Sequence, residues 1–192
     1  MKHYIEMTLL ASPEIPLHFL WQKVYQQLHL AFVGIKDENN QIQVGVSFPK
    51  YNFKRRYLGD KLRIFSPDKA LLNDLNCPQK LERLNDYIHI TRLRDVPDNI
   101  ETYACFQRLQ TKSSNQRIAR RKAKRDSISF EEAFKKVAER KEIYSAAPFI
   151  QMESLSKGQK FPLIIQKHKK DSYQMGQFNT YGLSGITTVP EF

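Results

Sequence analysis

Cysteine is scarce in this chain: Cys77 and Cys105 are the only two among 192 residues. Two thiols have neither the number nor the spacing of a disulfide framework or a zinc site, so a reducing cytoplasm is the expected compartment. Long apolar runs are missing as well. The longest apolar pattern, residues 16–33, is interrupted by His18, Gln22, Lys23, Gln26, Gln27 and His29. That makes it amphipathic and too polar to span a bilayer; no signal-peptide pattern precedes it, and no membrane partner is expected. The chain also lacks a Walker loop, a G-x-G-x-x-G and an H-E-x-x-H, which argues against the commonest nucleotide and metal chemistries. It has no internal repeat and no low-complexity block. With 41% hydrophobic and 27% charged residues it reads as globular, one large domain or two small ones.

The most telling absence is of negative charge. From Arg108 to Arg125 there is no acidic residue but eight basic ones, so of the formal net charge of +11 only 11 − 8 = +3 is carried by the rest of the chain. Arg117, Arg120, Arg121, Lys124 and Arg125 fall at i, i+3, i+4, i+7 and i+8. A 3.6-residue period puts them on one face of a helix, over about 12 Å at a rise of ~1.5 Å per residue. Like charges at these spacings repel and weaken an isolated helix, so a polyanion is the natural compensation. A solvated face or a flexible basic arm is the competing reading. The concentration of charge in one stretch favours a site over a general surface property.

Periodicity places the other elements. Residues 3–9 alternate, with Ile5, Met7 and Leu9 on one side of a strand. After Pro13 and Pro16 the spacing changes to Leu17, Leu20, Trp21, Val24, Leu28, Ala31 and Phe32, one face of a helix. Period two returns over residues 41–48, with Ile42, Val44, Val46 and Phe48 in phase, and Leu62 and Ile64 suggest a third strand after a basic loop holding Lys50, Lys54, Arg55 and Arg56. Residues 68–86, broken by Pro78, read as one or two short helices, and 87–93 as a fourth strand. The order strand, helix, strand, strand, helix, strand predicts a ferredoxin-like unit. Residues 96–99, Val-Pro-Asp-Asn, mark a plausible boundary. Beyond it lie an extended stretch at 103–110, the basic helix, and a helix opened by the capping box at Ser129 and Glu132. Short extended segments follow around 149–152, 161–166 and 180–183. The expected fold is α+β: a ferredoxin-like domain over 1–95 and a smaller α/β region with the arginine-rich helix over 96–192, the part that the resemblance described next makes RNA-binding.

Several local strings carry a resemblance: His3-Tyr4, Leu28-His29, Gly45-Val46-Ser47-Phe48-Pro49, the run from Arg108 to Ser113, Pro148-Phe149, the run from Ser154 to Phe161, Tyr181-Gly182-Leu183-Ser184, and Pro190 to Phe192. In this order around an arginine-rich helix, the chain resembles the repeat-processing endoribonucleases of type I-F CRISPR systems, the Csy-type branch of a larger family. The resemblance implies a metal-independent, cofactor-free ribonuclease. It would bind the stem-loop of the CRISPR repeat, cut at the 3′ base of the stem, and stay on the product with other type I-F Cas subunits in a ribonucleoprotein.

The resemblance also assigns roles. His29 matches the catalytic histidine; by residue type alone it is one of five histidines, on the flank of an apolar helix face where a structural role is commoner. Imidazole suits the chemistry because its ordinary pKa of about 6.5 lets it exchange a proton near neutrality. Ser154 matches the serine that holds the attacking 2′-hydroxyl, and Tyr181 the tyrosine that orients the histidine; taken alone, one passes for a turn residue and the other for a packing residue. Expected RNA contacts are Arg108 and Gln110 on base edges at the foot of the stem, Phe161 stacked on the terminal base pair, Lys112 and Ser156, and Arg117, Arg120, Arg121, Lys124 and Arg125 in the groove. The family's arginine run is partly Ala119, Lys122 and Lys124 here, which exchanges some bidentate contacts for point charges or none. A catalytically silent hairpin-binding subunit is the alternative, and a basic DNA-binding regulator a more distant one.

Overall fold

The computed structural model describes residues 1–110, 115–140, 145–155 and 158–192. In chain order the elements are β1 (His3–Leu9), α1 (Leu17–Gly34), β2 (Gln41–Ile42), β3 (Gly45–Ser47), β4 (Lys61–Ser66), α2 (Lys69–Asp74), α3 (Cys77–Lys80), a 3-10 turn (Glu82–Tyr87), β5 (Ile88–Ile90), β6 (Arg94–Asp95) and β7 (Thr102–Leu109). They continue as α4 (Asn115–Asp126), α5 (Phe130–Ala138), β8 (Phe149–Glu153), β9 (Lys160–Lys170), β10 (Phe178–Asn179) and β11 (Val189–Glu191).

The chain forms two compact units, Met1–Leu109 with Ala147–Phe192, and Gln110–Ala146. Sheets built from residues on both sides of residue 95 fall in the first unit. There one sheet has the order β3-β4-β1-β5, with β6 pairing the other end of β1; a second has the order β11-β7-β9-β8, and β10 pairs β2. Neighbours along both larger sheets are antiparallel. The molecule is thus mixed α/β built on antiparallel sheets.

α1 buries Leu20, Trp21, Val24, Tyr25, Leu28, Ala31 and Phe32, which fixes its rotation and leaves His29 on the flank of the buried face. Each fully buried leucine or phenylalanine contributes roughly 1.5–3 kcal/mol, so this face holds the helix in place even though Pro16 at its N-cap offers no side-chain hydrogen bond. The helix packs along β8. Leu17, expected on the same face, is only half-buried because the helix begins there.

Several expectations are revised. The alternating stretch 41–48 is two strands rather than one, with β2 pairing β10 and β3 pairing β4; Gly45 and Ser47 are buried as well as Val44, Val46 and Phe48, so the segment is covered on both faces. Pro78 does not break a helix but opens α3, and the break lies at Asn76, whose φ is +40°. Residues 180–183 form a turn, not an extended segment. The extended segment expected around 161–166 is the middle of the longer, eleven-residue β9, which runs on through the basic residues 167–170.

The second unit holds α4 packed on α5. α4 stops at Ser127, which takes a left-handed φ of +51°, and the Ile128 N–H donates to the Ala123 carbonyl at 3.1 Å. Ser129 then caps α5 by accepting from the Glu132 N–H at 3.1 Å, the bond the capping-box pattern calls for. Each helix contributes a fully buried alanine, Ala119 and Ala133.

Candidate active site and nucleic-acid interface

α1 carries Tyr25 and His29 one turn apart, and both reach the same turn near the C-terminus. The Tyr25 hydroxyl donates to the Tyr181 carbonyl at 2.8 Å; His29 Nδ1 lies 2.8 Å from the Thr180 carbonyl. A carbonyl only accepts, so Nδ1 bears the proton and Nε2 of the neutral ring keeps a free lone pair. Two consecutive carbonyls are therefore held by two residues of one helix. The turn is closed from within: Asn179 Oδ1 accepts from the Tyr181 N–H at 2.9 Å and the Leu183 N–H at 3.3 Å. Gly182 has a φ of +70°, and a Cβ there would lie 2.7 Å from Val46 Cγ1, so the turn admits no side chain at that point.

This turn places the Tyr181 ring flat against the imidazole, with centroids 4.1 Å apart and planes 5° from parallel. The guanidinium of Arg108, near the end of β7, sits 5.1 Å from the Tyr181 ring centroid and 5.4 Å from that of Phe161 on β9. Burial lowers the His29 pKa below the ordinary histidine value, with the Arg108 charge acting in the same direction; the bond to the Thr180 carbonyl opposes both without reversing them. The imidazole is therefore neutral at neutral pH.

His29, Ser154, Phe161 and Tyr181 line one cleft of about 280 Å³, together with Gln26, Leu30, Glu153 and Leu155. Ser154 arrives at the end of β8. Its loop is fastened by the Ser154 N–H donating to the Gln159 carbonyl at 2.9 Å and the Gly158 N–H donating to the Ser154 carbonyl at 2.7 Å. Gln26, three residues before His29, accepts from the Glu153 N–H at 3.2 Å, so the histidine helix and the serine strand are joined beside the cleft. The arrangement sets a proton acceptor, a hydroxyl and two half-buried aromatic rings around a small opening, with the Arg108 guanidinium over both rings. Those are the parts needed to hold a phosphodiester and move one proton.

Gln110, exposed, opens the second unit. Arg117, Arg120, Arg121, Lys124 and Arg125 are all exposed on α4, as the charge stripe requires. Arg125 is engaged at 2.8 Å by Asp126, which also pairs with Lys122 at 3.0 Å; Arg125 and then Lys122 hold the Asp126 carboxyl down at about 2. Ala119, one departure from the arginine run, is fully buried, so that position packs and does not face a ligand. Lys112 and Ser156, the remaining expected RNA contacts, lie outside the described residues. Tyr25, Gln26, Thr180 and Asn179 belong to the site without any motif that marks them. Tyr25 had one available signal, its i, i+4 spacing from His29; nothing in the sequence pointed to the carbonyls the two residues grip.

The model for a family described as CRISPR-associated protein (Cas_Csy4) matches residues 4–192. The chain is 32% identical over 194 residues to the CRISPR-associated endonuclease Cas6/Csy4 of Escherichia coli (strain UTI89 / UPEC), covering all of both chains. It is 33% identical over 193 residues to the protein of the same name from Pseudomonas aeruginosa (strain UCBPP-PA14), again covering all of both. A solved structure described as an RAMP protein binding different RNA substrates covers 98% of this chain and 100% of its own, at 8% identity and a TM-score of 0.38.

Proposed function

The chain belongs to the CRISPR-associated Cas_Csy4 family, and from that premise we propose that it is a metal-independent endoribonuclease that processes precursor CRISPR RNA. It binds the stem-loop of the repeat, cuts at the 3′ base of the stem, and stays on the hairpin as a subunit of a type I-F effector complex. The observation that carries this reading is the meeting of His29, Ser154, Phe161 and Tyr181 in one cleft, with the Arg108 guanidinium over two of their rings.

RNA brings its own nucleophile, so the protein has to position the 2′-hydroxyl and manage its proton. In this reading Ser154 holds the hydroxyl and the free Nε2 of neutral His29 takes its proton. The 2′ oxygen attacks the adjacent phosphorus and the bond to the 5′ oxygen breaks. The upstream fragment keeps a 2′,3′-cyclic phosphate; the 5′ oxygen takes a proton from water and leaves as a hydroxyl. Arg108 offsets negative charge as it builds on the phosphate and, with Gln110, reads bases at the stem foot. Phe161 stacks on the terminal base pair, and the α4 cations, with Lys112 and Ser156, hold the stem. The sheet order β3-β4-β1-β5, with α1 following β1 and α2 and α3 between β4 and β5, supports assigning the N-terminal arrangement to the ferredoxin-like class.

The direct experiment incubates the cognate repeat hairpin with wild-type protein and with His29→Ala. The expected result is cleavage by wild type, none by the variant, and hairpin affinities within several-fold of each other. Full cleavage by His29→Ala, or a hairpin that neither protein binds, overturns the assignment.

A further inference from the structure

We propose that the hairpin loop at Asn52–Tyr57 is a second RNA site that takes the single strand downstream of the cut, led to it along the seam between α1 and β8. The proposal rests on the endonuclease reading above, because the strand it places is the one leaving the scissile phosphate.

The loop is built, not loose. Asn52 and Tyr57 exchange both backbone hydrogen bonds, at 2.7 and 2.9 Å. The Asn52 side chain accepts from the Arg55 N–H at 3.0 Å, and Arg56 takes a left-handed φ of +51°. At its base Lys50 pairs with Asp60 at 2.8 Å. Gly59, with a φ of +91° and Lys50 Cβ only 2.4 Å from where its own Cβ would be, accepts the Trp21 indole N–H at 2.8 Å. The loop is thus anchored to α1.

What it presents is three consecutive exposed cations, Lys54, Arg55 and Arg56, flanked by Phe53 at 50% and Tyr57 at 42% exposure. Cations flanked by accessible aromatic rings are the chemistry of single-stranded nucleic acid, phosphates on charge and bases on rings. Beside the loop lies a cleft of about 280 Å³ lined by His18, Arg56, Tyr57 and Phe149 among others, and Phe149 is 56% exposed.

Placement relates the loop to the cut. α1 packs along β8; His18 and Phe149 share this cleft, while His29 and Ser154, further along the same helix and strand, share the other. The eleven residues from His18 to His29 set the two about 16 Å apart at ~1.5 Å per residue. That is about five nucleotides stacked at ~3.4 Å, fewer if extended. A strand leaving His29 along the seam therefore meets the cations within a few nucleotides of the cut.

The test uses the full chain and a hairpin made uncleavable by a 2′-deoxy sugar at the attacking position. The hairpin either ends at the cut site or carries about eight further 3′ nucleotides, long enough for a single-strand site. Wild type should bind the extended RNA about tenfold more tightly, with a salt dependence steeper by about two logarithmic units for three phosphates at ~0.7 each. The variant Lys54→Ala/Arg55→Ala/Arg56→Ala should bind the short hairpin as wild type does, which shows it is folded, and lose the gain from the extension. No gain in wild type, a gain that survives in the variant, or a gain from a 5′ rather than a 3′ extension overturns the proposal. Wild-type behaviour of the variant on every RNA assigns the loop to an acidic protein surface instead. Normal cutting of the hairpin alongside any of these leaves the endonuclease reading standing while this inference falls.

Discussion

The imidazole of His29 lies flat on the phenol ring of Tyr181, 4.1 Å between centroids and 5° from parallel. The contact is made by ring faces, with Nδ1 already spent on the Thr180 carbonyl. Tyr181 thus sets the plane of the imidazole, and its hydroxyl is dispensable for that task. Tyr181→Phe should cleave within a few-fold of wild type in single turnover. Tyr181→Leu should lose on the order of 10²-fold, the scale of a misplaced catalytic group, with hairpin affinity little changed in both. Equal losses in the two variants would point to the hydroxyl and away from the stack.

The depressed His29 pKa makes a second prediction, and its sign follows from the proposed role. A base works unprotonated, so single-turnover cleavage should be flat above the pKa and fall below it, with the acidic limb under the ordinary histidine value of about 6.5. Arg108 helps lower that pKa, so Arg108→Gln should move the limb to higher pH at saturating protein. A rate that falls as pH rises from 6 to 8 would mean that imidazolium is the active form.

Tyr25 carries a prediction about stability. It is fully buried, and its hydroxyl is the donor to the Tyr181 carbonyl. Tyr25→Phe keeps the packing and strands that carbonyl, which should cost about 1–3 kcal/mol. It should also slow cleavage, because the turn carrying Tyr181 loses one of its two ties to α1. Denaturant titration and a single-turnover time course check the two effects separately.

Local patterns were readable and distant pairings were not. The buried face of α1 followed from its spacing because a 3.6-residue period is a one-dimensional signal, and the α4 stripe and the Ser129 cap followed for the same reason. Residues 41–48 alternated as one strand does, yet the segment splits because different strands pair with its two halves. Residues 180–183 looked extended; Asn179 and Gly182 close them into a turn. The site itself joins α1, the end of β7, the β8–β9 loop and a turn 152 residues after His29, and only the resemblance named Ser154 and Tyr181. Tyr25 and Gln26 act through backbone groups, whose positions a sequence does not announce.

On α4, substituting Arg120, Arg121 and Lys124 should weaken binding to every hairpin and flatten its salt dependence by about 0.7–0.9 logarithmic units for each phosphate no longer neutralised. All three are exposed, so thermal stability should hardly change. Arg108→Ala should instead relax discrimination at the base of the stem by roughly 1–3 kcal/mol. Titrations of stem variants at several salt concentrations separate the two behaviours; identical effects across all stems would contradict the division between charge and base reading.

The most direct test of the whole account replaces a single oxygen. Two cognate repeat hairpins, one all-ribose and one with a 2′-deoxy sugar just upstream of the scissile phosphate, are incubated with excess protein in EDTA. The account predicts that both bind alike, that only the all-ribose RNA is cut, and that its upstream fragment ends in a 2′,3′-cyclic phosphate. Cleavage of the deoxy-substituted RNA, or loss of cleavage on chelation, would contradict it.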